Sequence, residues 1–233
     1  MQSLMAIALF VAMPACTDDA STCELKPENI LITAGVTDDL DGVRGDVRLY
    51  LKDARRLDTS LRLCREQGDL LTLNGASLTE SSIDGIFQYT AELNGPEPSY
   101  TFMFTRAGDA YTMSVDAPPT FDVVTPAPGE PFSVADTLSV SWSPLWPDNT
   151  LNLRAIPDDP SCLQSVSLEV DDTGVTILPS DTLTVSGSGM QPPECPVTFE
   201  LRRLRQGDYP AGLAAGGWVE ARRVKQVVAV ATP

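Results

Sequence analysis

The sequence predicts an all-β fold of two tandem antiparallel β-sandwich domains behind a short N-terminal leader. Three observations carry that prediction. From Asn29 onward, apolar residues alternate with polar ones in short runs separated by turn residues, the pattern of half-buried strands. Nineteen prolines and sixteen glycines interrupt the chain too often for long helices. Prolines at 118, 119, 126, 128 and 131 then break the strand runs into two sets. Proline fixes its own φ and restrains its predecessor, so this junction is expected to be stiff.

The leader is the first element. Leu4 to Met13 is an unbroken apolar run. As helix it would cover about 15 Å of a hydrocarbon core of roughly 30 Å, so it reads as a secretory signal and not as a span. It closes in Met13-Pro14-Ala15-Cys16, followed by Thr17-Asp18-Asp19. This block resembles the lipobox of bacterial lipoproteins, in which a small residue precedes a cysteine that becomes the lipidated N-terminus. The resemblance implies removal of residues 1–15, lipid on Cys16, a tether over 16–28 and attachment to the bacterial envelope. By the same analogy, Thr17 after the cysteine favours the outer membrane over the inner one.

In the first set, 29–117, strands are expected at 30–34, 47–51, 70–73, 86–90, 100–104 and 110–115. Thr37-Asp38-Asp39-Leu40-Asp41-Gly42 supplies one turn and Asn94-Gly95 another. In the second set, 118–233, strands are expected at 121–124, 138–142, 151–155, 166–170, 175–178, 183–185, 197–201 and 224–230. A strand every 8–12 residues or so is the rhythm of a β-sandwich. Thr125-Pro126-Ala127-Pro128-Gly129, followed by Thr137 to Pro144 with its Trp142-Ser143-Pro144 ending, resembles the immunoglobulin-like modules of bacterial exported proteins. Residues 100–118 are similar to the closing strands of domains that precede such modules. The likeness implies an immunoglobulin-like fold and an exported location, and it brings no catalytic residues.

The net charge of −16 argues against nucleic acid as a partner. Acids dominate residues 107–200, where Arg154 is the single base, while Arg202, Arg203, Arg205, Arg222, Arg223 and Lys225 crowd together near the end. These six are expected to form one solvated hairpin face, with docking of an acidic partner as the alternative. With Cys16 assigned to lipid, four cysteines remain, and four permit three pairings. The division at 117/118 selects Cys23–Cys64 and Cys162–Cys195, one bridge per domain. The absence of Cys-x-x-Cys and of histidine disfavours zinc.

Without histidine, the usual catalytic triads and imidazole acid–base chemistry are excluded. The adjacent acids Asp38-Asp39, Asp158-Asp159 and Asp171-Asp172 fall in expected turns, where Asx side chains bond nearby backbone. Asp38, Asp39 and Asp41 are the candidate calcium ligands, although a 12-residue loop of EF-hand type from Thr37 would close on Arg48 where glutamate is needed. Trp142 alternates in phase with Leu138 and Val140 and is expected in the core, leaving Trp146 as the exposed one. Gly187-Ser188-Gly189 precedes no helix, so a phosphate-cradling role has no context. The expected function is a membrane-anchored extracytoplasmic binding or structural module. It is expected to need no cofactor and to be no enzyme, with a protein or glycan as partner. Two alternatives stand beside it: a carboxylate-dependent glycan-processing enzyme, and a calcium-stiffened adhesion module.

Overall fold

The computed structural model describes residues 21–52, 60–180, 182–186 and 194–232. The chain is all-β. Its strands are β1 (Ile30–Asp39), β2 (Gly42–Leu51), β3 (Leu70–Leu73), β4 (Ala76–Ser77), β5 (Thr79–Ile83), β6 (Ile86–Leu93), β7 (Ser99–Arg106) and β8 (Asp109–Asp116). They continue as β9 (Asp122–Thr125), β10 (Pro131–Ser133), β11 (Leu138–Ser143), β12 (Thr150–Pro157), β13 (Val166–Asp171), β14 (Val175–Leu178), β15 (Cys195–Gln206) and β16 (Trp218–Thr232). The alternating runs fall on strands, except that 183–185 yields only the bridge Leu163↔Val185. The short strands β4 and β5 carry no apolar alternation, because they lie largely exposed at sheet margins, and β10 is too short to show any.

The strands form three sheets: a nine-stranded one in the order β13-β12-β15-β16-β1-β2-β6-β5, with β10 also on β16, a four-stranded one, β4-β3-β7-β8, and a three-stranded one, β14-β11-β9. The large sheet packs against both smaller ones, which gives two cores. In the first, Ile32, Val47, Leu49 and Tyr89 of the large sheet meet Leu71, Phe102, Phe104 and Met113 of the four-stranded sheet. In the second, Leu151, Leu153, Phe199 and Ala229 meet Phe121, Val140, Trp142 and Leu178. Each large apolar side chain removed from water contributes about 1.5–3 kcal/mol.

One hairpin crosses the 117/118 boundary. β15 and β16 pair antiparallel from Cys195↔Ala231 to Gln206↔Glu220. The start of β16 lies parallel to β1, from Thr33↔Trp218 to Asp38↔Arg223, and its end lies parallel to β10. At about 3.3 Å per residue a strand of this length spans close to 50 Å, enough to serve both cores. The loop before it and its first residues reach the first core as well: Leu213 of the loop and Val219 and Ala221 of β16 are buried there, and the Tyr209 hydroxyl accepts the Ile32 N–H at 3.1 Å. Gly217 makes that docking possible, since a Cβ there would lie 2.2 Å from the Tyr209 ring. Both expected disulfides, Cys23–Cys64 and Cys162–Cys195, are formed.

Candidate functional site

The candidate residues do not converge on one centre. Cys16 and Gly187-Ser188-Gly189 lie outside the described residues. Asp38 accepts Arg223 Nε at 2.7 Å, and Asp39 Oδ1 accepts the backbone N–H of Asp41 at 2.9 Å, so two of the three candidate calcium ligands are engaged locally. Among the described residues, no group of three or more Asp, Glu, His or Cys is placed to hold a metal ion. Asp159 caps its own turn through Ser161, whose hydrogen bonds hold the carboxyl below its usual range. Trp142 is in the core as expected. Trp146 is half-buried, with Arg205 5.8 Å from its ring centre, and the exposed tryptophan on the large sheet is Trp218.

Among the described residues, two acid–base pairs have both side chains buried. Asp172 and Arg203 have fully buried side chains: Arg203 Nε donates to Asp172 Oδ2 at 2.6 Å and Nη2 to Oδ1 at 2.9 Å. The remaining guanidinium donors reach the carbonyls of Pro119, Thr120 and Pro144, and the group lies 4.4 Å from the Phe121 ring centre. Asp172 Oδ1 also accepts Trp142 Nε1 at 2.7 Å and the Trp146 N–H at 3.2 Å. In the first core, Asp69 Oδ2 accepts Thr22 Oγ1 at 2.5 Å, the Cys64 N–H at 3.2 Å and Arg106 Nη1 at 3.3 Å, while Asp69 Oδ1 is buried without a partner. These groups spend their charge on holding loops together.

The expected single basic face is corrected by the strand geometry. Successive side chains on a strand point to opposite faces, so Arg203 and Arg223 turn inward and are buried, while Arg202 and Arg222 turn outward. Arg205 and Lys225 make exposed pairs with Asp116 and Asp122 at 3.4 and 3.8 Å. Such pairs contribute about 0–1 kcal/mol.

On the outer face, Arg154 of β12, Arg202 of β15 and Arg222 of β16 line an open groove of about 530 Å³ that crosses four adjacent strands. Beneath them lie Glu200 and Glu220, each 8% exposed. Glu200 Oε1 accepts Arg202 Nη2 at 2.9 Å and Arg154 Nη1 at 3.4 Å, Oε2 accepts Gln226 Nε2 at 3.0 Å, and Arg222 donates to Glu220. The glutamate side chains are 10–11% exposed, against 31–41% for the three arginines, so the groove shows solvent its cationic side. Thr150, Asn152 and Ser167 add neutral polar groups, Glu169 adds one exposed carboxylate, and Leu204 is the only apolar lining residue.

The guanidiniums crowd one another. Burial pushes Arg222 below its usual pKa, and the like charge of Arg202 pushes it further. Burial raises the Asp46 carboxyl against the pull of Arg222, Arg48 and Arg44. Trp218 is 37% exposed, with Arg222 6.0 Å from its ring centre. The sequence carried one signal of this site: Arg154, the lone base of 107–200, stands in mid-strand and faces Glu200 across the ladder. In comparisons with known proteins, no family model matches the chain and no curated protein matches it.

Proposed function

We propose that the chain is a lipid-anchored extracytoplasmic binding module, held on a bacterial membrane through Cys16, that offers the arginine groove to a ligand. The observation that carries the binding part is the groove itself, with part-exposed guanidiniums held over buried carboxylates. Arg203, whose role is structural, has its donors occupied by protein groups. Arg154 and Arg202 each direct a single nitrogen at Glu200, and their side chains stay 41% and 32% exposed. A rigid sheet with part-exposed donors suits recognition. Glu200 and Glu220 are tied to arginines, which favours binding over carboxylate-driven hydrolysis.

Export is supported by two disulfides, which persist in oxidising compartments. Anchoring rests on the Met13-Pro14-Ala15-Cys16 block, with the outer membrane the favoured location. No helix among the described residues is long and apolar enough to cross a membrane. Cys16→Ser is expected to fold, lose lipid labelling and leave the membrane fraction, and retention in high salt would refute the anchor. A photo-crosslinking side chain at Ser167, in the groove, is expected to capture a partner in the native envelope where one at Ser139 does not. Equal capture at both positions would refute the groove.

A further inference from the structure

We infer that the arginine groove binds a short segment of a carboxylate-bearing glycan, a uronic acid oligosaccharide in chemical class; the inference rests on the binding-module reading and names its ligand. Three features of the groove converge on that class. Arg202 and Arg222 are like charges close enough to disfavour one another, and a carboxylate placed between them would relieve that repulsion while accepting two-pronged hydrogen bonds. The buried glutamates below are engaged by their arginines, whose side chains remain 31–41% exposed to the groove.

Neutral polar groups alternate with the charges. Asn152, Thr150 and Ser167 are placed to exchange hydrogen bonds with hydroxyls, and Glu169, the one exposed acid of the lining, can only accept them. A ligand made of carboxylates alone would be repelled at Glu169, whereas a uronic sugar carries one carboxylate and several hydroxyls per ring. Trp218 lies outside the groove lining, two residues before Glu220 on the same face of β16 and beside Arg222, and its part-exposed ring offers a flat apolar surface next to the groove against which a sugar ring can stack.

The groove also argues against a peptide. It runs across four strands, about 14 Å at the usual spacing, and not along an edge where a peptide backbone would pair. Leu204 is the only apolar lining residue, so peptide side chains would find no pocket to fill. The net charge of −16 limits the contact to a short segment, since a long polyanion would meet repulsion from the rest of the surface.

The test is titration calorimetry on the full exported chain in detergent, with three probes: tetragalacturonate, its methyl ester and tetraglutamate. Tetragalacturonate is expected to bind, and each of the other two to bind at least about tenfold more weakly, as loss of a charge-assisted pair requires. The double variant Arg202→Gln/Arg222→Gln should lose at least about tenfold in affinity for tetragalacturonate. Ser167→Trp, which obstructs the groove from an exposed position without touching an ion pair, should abolish binding while the thermal midpoint stays put. Equal binding of the ester, equal binding of tetraglutamate, unaltered affinity in Ser167→Trp, or no binding of any probe would each overturn the assignment. If Ser167 crosslinks still capture a partner in the envelope while tetragalacturonate fails to bind, the glycan class falls and the binding-module reading stands.

Discussion

The pairs Asp172–Arg203 and Asp69–Arg106 are built from the same two residue types, yet one is saturated and the other is not. Asp172 uses both carboxylate oxygens, and its arginine reaches three backbone carbonyls. Asp69 gathers all its bonds on one oxygen and leaves the other buried and bare. The difference follows from what else holds each place. Arg106 accompanies a covalent staple: its Nη2 reaches the carbonyls of Thr22 and Cys23, and Cys23 is bridged to Cys64. Arg203 sits eight residues along β15 from Cys195, about 26 Å from the second disulfide at strand spacing, and joins the junction at Pro119 and Thr120 to the Pro144 loop alone. Where a disulfide fixes the backbone, an incomplete polar network is tolerated. At Arg203, where none is near, the network is complete.

The strongest way to break this comparison is to remove each arginine. Arg203→Met leaves the Asp172 carboxylate buried without its counter-charge and should cost about 3–5 kcal/mol. Arg106→Met also strips a buried carboxylate of its counter-charge, but it removes one 3.3 Å contact where Arg203→Met removes two of 2.6 and 2.9 Å, so with the disulfide intact it should cost less, about 3 kcal/mol. Urea unfolding followed by tryptophan emission measures both. Equal losses would mean that saturation does not set the contribution of a buried pair here.

A smaller effect sharpens it. Asp172→Asn keeps the shape but removes the charge that Arg203 grips, at a cost of about 2–3 kcal/mol. Asp69→Asn exchanges a buried oxygen that has no partner for an amide, and Arg106 retains the Thr22 and Cys23 carbonyls and Gln67 Oε1 as acceptors, so about 1 kcal/mol is expected. The urea midpoints should separate while the slopes stay equal. A larger loss at Asp69 would reverse the reading.

The contrast between the pairs was illegible in the sequence, whereas the strands were not. Runs such as Leu138-Ser139-Val140-Ser141-Trp142 and Tyr100-Thr101-Phe102-Met103-Phe104 alternate because one face of each is buried, and both are strands. Arg203, inside Glu200-Leu201-Arg202-Arg203-Leu204-Arg205, was hidden because a buried charge mimics a surface one until its partner is known. Asp172 lay next to Asp171 in an apparent turn, thirty-one residues from its partner. The groove was hidden for a related reason: the run of basic residues looks like one patch, and strand geometry splits it between two faces. β5 left no trace either, since Thr-Glu-Ser-Ser-Ile buries neither face and its place is fixed by pairing with β6.

The mildest perturbation separates the two regions by pH. All five tyrosines, at 50, 89, 100, 111 and 209, lie in the first region or dock onto its core, while Trp142 and Trp146 lie in the second. Burial pushes the Tyr89 phenol up to about 12 from its usual 10, against the opposing effect of the Leu63 N–H it accepts, and burial also raises Tyr100 and Tyr209. A raised folded-state pKa means that the fold favours the protonated phenol. The contribution is whole below pH 10, where the unfolded chain also keeps its proton, and is lost as pH rises toward 12. The loss for Tyr89 is of order 1–2 kcal/mol. Stability measured at pH 9 and pH 11.5 should therefore fall in the parent and fall less in Tyr89→Phe, although that variant starts about 1 kcal/mol lower for want of the Leu63 bond. Arg203→Met acts on a different core and should leave the pH slope unchanged. A slope that survives Tyr89→Phe intact would take the alkaline weakness away from Tyr89 and leave Tyr100 and Tyr209 as its sources within the first region.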